Sequence, residues 1–328
     1  MVDFQVRFAG ARHTAGAFLL LLLAGLSGCA SLVPQTMGLR DAWPQGVADR
    51  VELREVPFFA QQEYQCGPAA LATTLVHAGA QVTPEELVER VYIPGREGSL
   101  QVEMLAAPRR HGKVSYQIAP RFDDLLREVA AGNPVIVLQD TGIGLITNWH
   151  YAVVVGFDYP AGELYLRSGE TRRLAIPFTV FEYTWKKSHY WAMVTMASGR
   201  IPATAGESTY LNAISAMERV AEADDTLLAY SAFLKRWPDN VSASIGMANR
   251  YYAQGKLQDA ESILRRAFAR HPDSVAVMNN LAQTLSDQGH NDEALELIER
   301  AAPPEGSPFR TAVRDTHRLI LQRMGGNR

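Results

Sequence analysis

Four pairs of residues in the C-terminal part of the chain recur at a separation of 34: Pro238 and Pro272, Ala248 and Ala282, Gly255 and Gly289, Ala260 and Ala294. A period of that length holds two short helices and their turns. The alanines stand where two antiparallel helices approach closely, and the glycines permit the turn between them. Such a unit cannot bury its apolar face alone, so it stacks on its neighbours. Residues 241–274 fit the pattern through Met247, Tyr251, Leu264 and Ala267, and residues 275–308 through Leu281, Leu285, Ile298 and Ala301. Residues 207–240 keep only the terminal Pro238 and a looser apolar pattern, as a degenerate first repeat would. Residues 310–324 read as a capping helix.

The period and its small residues resemble tetratricopeptide repeats, which implies a surface for a peptide or a protein partner. An all-α region thus covers 207–328. A stretch rich in small residues, Gly and Pro, 199–206, links it to what precedes. Residues 51–198 read as α+β. Helices are expected at 68–78, from Thr83, at 100–107 and at 122–131. Strands follow at 135–139, 150–157, 163–168 and 190–197. Helices first and consecutive strands after them suggest an antiparallel sheet. The formal net charge is −3, and no basic block interleaved with aromatics is present, so nucleic acid is not an expected partner.

The N-terminus reads as a targeting segment, 1–28, with Arg7, Arg12 and His13 ahead of an apolar run. Leu26-Ser27-Gly28-Cys29 resembles the bacterial lipobox, which implies cleavage before Cys29 and its lipidation. Ala30 follows in place of Asp, and by the same resemblance this implies the outer membrane, facing the periplasm. The anchor attaches the protein to a membrane without spanning it. Residues 29–50, with Pro34, Gly38, Pro44 and Gly46, read as a tether.

The chain has two cysteines, so lipidation of Cys29 leaves Cys66 as the one thiol. An odd cysteine in an exported protein suggests an intermolecular partner or a reactive thiol. Cys66 precedes Gly67, Pro68 and a helical run, and a helix N-terminus favours a thiolate. A histidine must come from elsewhere in the chain. His77 lies roughly 16 Å along the same helix. His150 and His189 each open a strand, and His150 is favoured because a strong core strand follows it. Gln61, Gln62 and Gln65 precede the cysteine and offer a donor to an oxyanion beside the Cys66 N–H. No metal constellation is present, and no cofactor is implied.

The stretches VPFFAQQEYQCGPAALATTL (56–75) and NWHYAVVVGFD (148–158) resemble the C39-like peptidases, cysteine peptidases of papain-like fold. The resemblance implies Cys66 as nucleophile, His150 as general base and Gln61 as oxyanion donor, with Gln62 as the alternative. Exporter-fused members place the glutamine six before the cysteine, where this chain has Ala60. The family also has an Asp after the histidine strand. Asp158 ends the same strand as His150, roughly 25 Å away. A hairpin at 158–162 brings Ser168 to the expected place, with Glu170 slightly beyond it. The expected function is a periplasmic, lipid-anchored cysteine peptidase. The alternatives are an inactive peptide-binding scaffold on the same fold, or an amidase or transacylase acting on a non-protein substrate.

Overall fold

The computed structural model describes residues 32–60, 65–96, 98–144 and 146–325. Residues 1–28, read above as a targeting segment, and Cys29 lie outside them. In chain order the first elements are α1 (Pro34–Asp41), β1 (Arg50–Glu52), α2 (Cys66–His77), α3 (Pro84–Val91), β2 (Tyr92–Ile93), β3 (Gly98–Ser99) and α4 (Gln101–Arg110). Then come β4 (Lys113–Gln117), α5 (Phe122–Ala130), β5 (Val135–Asp140), β6 (Trp149–Asp158), β7 (Glu163–Ser168), β8 (Thr171–Pro177), α6 (Phe178–Lys186) and β9 (Ala192–Ala197). The rest is helical: α7 (Glu207–Glu218), α8 (Ala223–Arg236), α9 (Val241–Ala253), α10 (Leu257–Arg270), α11 (Val275–Asp287), α12 (Asn291–Arg300) and α13 (Arg310–Gly325). Packing divides the described residues into two compact units, those within 32–74 and 117–193, and those within 75–116 and 194–325.

In the first unit the strand order is β5-β6-β7-β8, with β1 also on β6. In the first unit β1, β5 and β7 pair antiparallel with β6, and β8 with β7. Every residue of β5 is buried, which explains its unbroken apolar run Val135–Leu138. β7 falls where the sequence places it, and β5 and β6 differ by one residue at their ends. β9 starts at Ala192, later than the expected 190, because His189 and Tyr190 sit in the left-handed region at φ 56° and 59°. The edge strand β8 is exposed and carries Arg172 and Arg173, and charge on an edge discourages pairing with another chain. Phe122 of α5 packs against Phe178, Phe181 and Trp185 of α6, with ring centroids 5.4–5.9 Å apart.

The stretch read as a tether is folded over residues 34–41, where α1 forms. The first N–H groups of a helix have no partner within it. Here the carboxylate of Glu182, wholly buried on α6, accepts from the N–H of Gln35 at 2.9 Å and of Thr36 at 2.6 Å. Thr36 and Leu39 are buried, and Trp43 just beyond packs on Tyr159 and Phe157.

In the second unit Thr83 caps α3 with the reciprocal Thr83–Glu86 bonds that Thr-Pro-Glu-Glu implies. Three helix pairs, α7–α8, α9–α10 and α11–α12, are followed by α13. Ala248, Ala260, Ala282 and Ala294 are all buried. Gly255 and Gly289 take φ values of 72° and 86° after α9 and α11, a turn that a Cβ would strain. In the first pair, Ile214 and Thr226 occupy the offsets of Ala248 and Ala260 and are buried in their turn. That pair fills its interior with Tyr210, Tyr230 and Phe233, which is why its repeat pattern is loose. Among the described residues no helix is long and apolar enough to cross a membrane.

Candidate active site

Cys66 is the first residue of α2. Pro68 suits the first turn, where its missing N–H is not needed. From Ala69 to Leu75 every residue of this helix is buried, so the run of Ala, Leu and Thr reflects a helix enclosed on all sides. Thr73 and Thr74 are accommodated by donating back to the carbonyls of Ala69 and Leu71. A helix held this firmly fixes the position of the thiol at its start.

Cys66 is a free thiol, and the backbone N–H groups of Tyr151, Gly67 and Cys66 itself act on it in the direction that favours a thiolate. Tyr151 follows His150 on β6, so the N–H of Tyr151 brings the histidine strand to the thiol. His150 lies opposite Gln139 in the β5–β6 register. Its Nε2 is 2.9 Å from the Ser168 hydroxyl at the end of β7. With Nε2 engaged there, Nδ1 is the nitrogen that Ser168 does not take up. Glu170 is exposed in the β7–β8 turn, and His189 is exposed in its left-handed turn. Gln61 and Gln62 lie outside the described residues.

Electrostatically the resting pair is neutral. Burial pushes the Cys66 thiol up from its usual range, outweighing the pull of the three N–H groups. Burial also holds His150 below the usual imidazole range. The helix N-terminus alone suggests a lowered thiol; the desolvation that reverses it comes from the tertiary fold. Burial raises the Tyr151 phenol as well, reinforced by the charge of a Cys66 thiolate, so that side chain stays neutral.

The loop between β5 and β6 leads into His150 and is built around Asp140. Its buried carboxylate accepts from the N–H of Gly142 at 2.9 Å and of Asn148 at 2.8 Å. Lys187 lies 3.5 Å from the other oxygen and also donates to the carbonyls of Asp140 and Gly142. Burial would raise this carboxyl, but the two N–H groups and Lys187 hold it below the usual range. A Cβ at Gly142 would collide with the Ile146 carbonyl, so the loop can close only over a glycine. The loop and its exit present Ile143, Ile146 and Trp149, which are 87%, 76% and 48% exposed. Sequence reasoning missed this arrangement. Asp140-Thr141-Gly142 has the composition of an Asx turn, and that signal was there to find. Among the described residues no group of three or more His, Cys, Asp or Glu side chains gathers as metal ligands would.

Comparison with known proteins agrees with this layout. Residues 53–193 match the family model described as Peptidase_C39 like family, and residues 251–308 match a tetratricopeptide repeat model. The chain thus carries a C39-like peptidase domain followed by tetratricopeptide repeats. A crystal structure assigned as a C39-like peptidase of Bacillus anthracis aligns at 17% identity and TM-score 0.39, covering 45% of this chain and 97% of that one. The TPR2B domain of yeast Sti1, solved in complex with pHsp70, aligns at 14% identity and TM-score 0.33, over 35% of this chain and 96% of that one. Cellulose synthase operon protein C of Pseudomonas fluorescens (strain SBW25) is 32% identical over 77 residues, 24% of this chain. That match spans 6% of the relative's length.

Proposed function

We propose that this protein is a cysteine peptidase that hydrolyses peptide bonds by thiol attack from Cys66 with His150 as base. The observation that carries the reading is the thiol at the start of a buried helix, under the influence of the Tyr151 N–H next to His150, whose Nε2 meets Ser168. Because both groups rest neutral, His150 takes the thiol proton as the sulfur bonds to the peptide carbonyl carbon. The oxyanion forms near the N–H groups of Cys66 and Gly67, and Gln61 is the side chain assigned to complete its binding. The imidazolium then protonates the leaving amine. Water, deprotonated by His150, hydrolyses the thioester and restores the thiol. The exposed Ile143, Ile146 and Trp149 favour substrates with apolar side chains near the cleaved bond. The repeats hold the protein partner or substrate.

The test is hydrolysis of a mixed peptide library by the full chain, with new termini read by mass spectrometry across pH. Activity should fall as His150 becomes protonated, with its midpoint below the ordinary imidazole value of about 6.5. Ser168→Asp places a carboxylate against Nε2 and favours the imidazolium, so that midpoint should move to higher pH. An unmoved midpoint would remove His150–Ser168 from the mechanism.

The second reading, a peptide-binding scaffold without turnover, is favoured by Ser168 standing where the family has a carboxylate and by the raised thiol. It requires peptides to be bound and recovered intact.

The protein is further assigned to the Gram-negative envelope, anchored by lipid on Cys29 with its domains in the periplasm. The support is the lipobox-like run and the excess thiol it accounts for. Cys29→Ala should abolish incorporation of labelled palmitate and release the protein from membranes. Retention of label would exclude this anchor.

A further inference from the structure

The repeat unit carries a basic groove that neither the fold nor the thiol site requires. Two adjoining hollows, of about 270 and 430 Å³, meet at Ser231 and Lys235 of α8. The first lies between α8 and α10, the second helices of two successive pairs. Met247 of α9 and Ile263 of α10 form part of its lining. The cations around the two hollows are Lys235, Arg236, Arg266 and Arg270, and no Asp or Glu lines either.

The charges along this groove are poorly neutralised. Lys235 and Arg266 are exposed, and no carboxylate pairs with either among the described residues. Arg270 meets Asp239 at 3.1 Å, a pair with both members well exposed, so an incoming carboxylate can compete for it. Arg236 donates to the Pro202 carbonyl and lies over the Trp237 ring, which leaves its charge unopposed. The neighbouring Arg265 behaves differently. It pairs with Glu261 at 2.6 Å and Glu293 at 2.7 Å on another face of α10. The same helix therefore carries one neutralised arginine and, one position on, an unopposed one facing the groove.

We propose that this groove binds an acidic peptide segment of a partner protein, with carboxylates on Lys235, Arg266 and Arg270 and apolar side chains against Met247 and Ile263. Leu228, 55% exposed on the lining of the second hollow, extends the apolar track. A recessed apolar floor between cations suits an extended chain that alternates acidic and apolar residues. A planar anionic surface would reach the rim charges alone. The inference names the chemistry of the partner that the repeats hold and does not depend on turnover at Cys66.

Fluorescence anisotropy of a labelled dodecapeptide alternating Glu and Leu, added to the full chain bearing Cys66→Ala, tests the proposal without substrate loss. Saturable binding that weakens with salt is expected, with a Lys-Leu peptide failing to bind. Lys235→Glu with Arg266→Glu should weaken binding on the order of tenfold or more. Arg314→Glu, an exposed reversal on α13, should leave it unchanged. Both reversals are at exposed positions, and circular dichroism establishes that the variants fold. Equal binding of acidic and basic peptides, or no loss in the double reversal, would overturn the proposal. So would binding confined to anionic vesicles or polyphosphate.

Discussion

Cys66→Ala is expected to lower peptide hydrolysis by on the order of 10⁶, with His150→Ala costing nearly as much. The pair acts as one unit, because the resting thiol is neutral and attack requires its proton to leave as the carbon–sulfur bond forms. Without the imidazole the thiol must ionise alone, and burial pushes that ionisation above the usual cysteine range. Without the thiol the imidazole has nothing to activate. The double variant should therefore be no slower than either single one, whereas two independent contributors would multiply their losses. Iodoacetamide labelling adds a readout that needs no substrate. Alkylation of Cys66 should rise steadily into the alkaline range, since the thiolate gains population only as pH approaches its raised pKa. A labelling plateau well below pH 8 would instead mean a preformed thiolate–imidazolium pair, and the general-base account would be discarded. Intact peptides throughout, in parent chain and variants alike, would leave the binding reading standing.

The parts of this protein legible in its sequence are those in which one short stretch holds its own reason. The spacing of Ala248, Gly255 and Ala260 against Ala282, Gly289 and Ala294 sets close helix contacts and left-handed turns, and both are found at those positions. Thr83 and Glu86 cap each other across three residues. β7 shows in its residue types, and the hairpin before it was enough to put Ser168 opposite His150. What was hidden depends on partners distant in the chain. α1 looked like a tether because the carboxylate that satisfies its first N–H groups lies on Glu182, about 146 residues away. Thr171–Pro177 was not expected as a strand, because an exposed edge has no apolar alternation to announce it. The raised thiol was hidden for the same reason. A helix N-terminus is local, while the burial that opposes it is assembled by the whole fold.

Asp140 gives a second large expected effect, and one that acts at a distance from the thiol. Asp140→Ala removes the acceptor of two backbone N–H groups and the partner of Lys187 at once. Leaving those groups to water or unpaired should cost about 1–3 kcal/mol of stability, measured by urea denaturation. The larger loss should be catalytic. The loop from Thr141 to Asn148 ends one residue before Trp149 and two before His150, and a displacement of about 1 Å there can lower turnover on the order of 100-fold. Asp140→Asn separates geometry from charge. Its amide oxygen can still accept from Gly142 and Asn148, so only the attraction to Lys187 is lost, and turnover should stay near that of the parent chain. The carboxyl itself is held below its unfolded value, so the stability it adds is complete above about pH 4 and disappears as pH falls through the folded pKa. Asp140→Ala should lack that acid-side component. If Asn proves as damaging as Ala, the ion pair with Lys187 holds the loop, and the two N–H bonds are secondary to it.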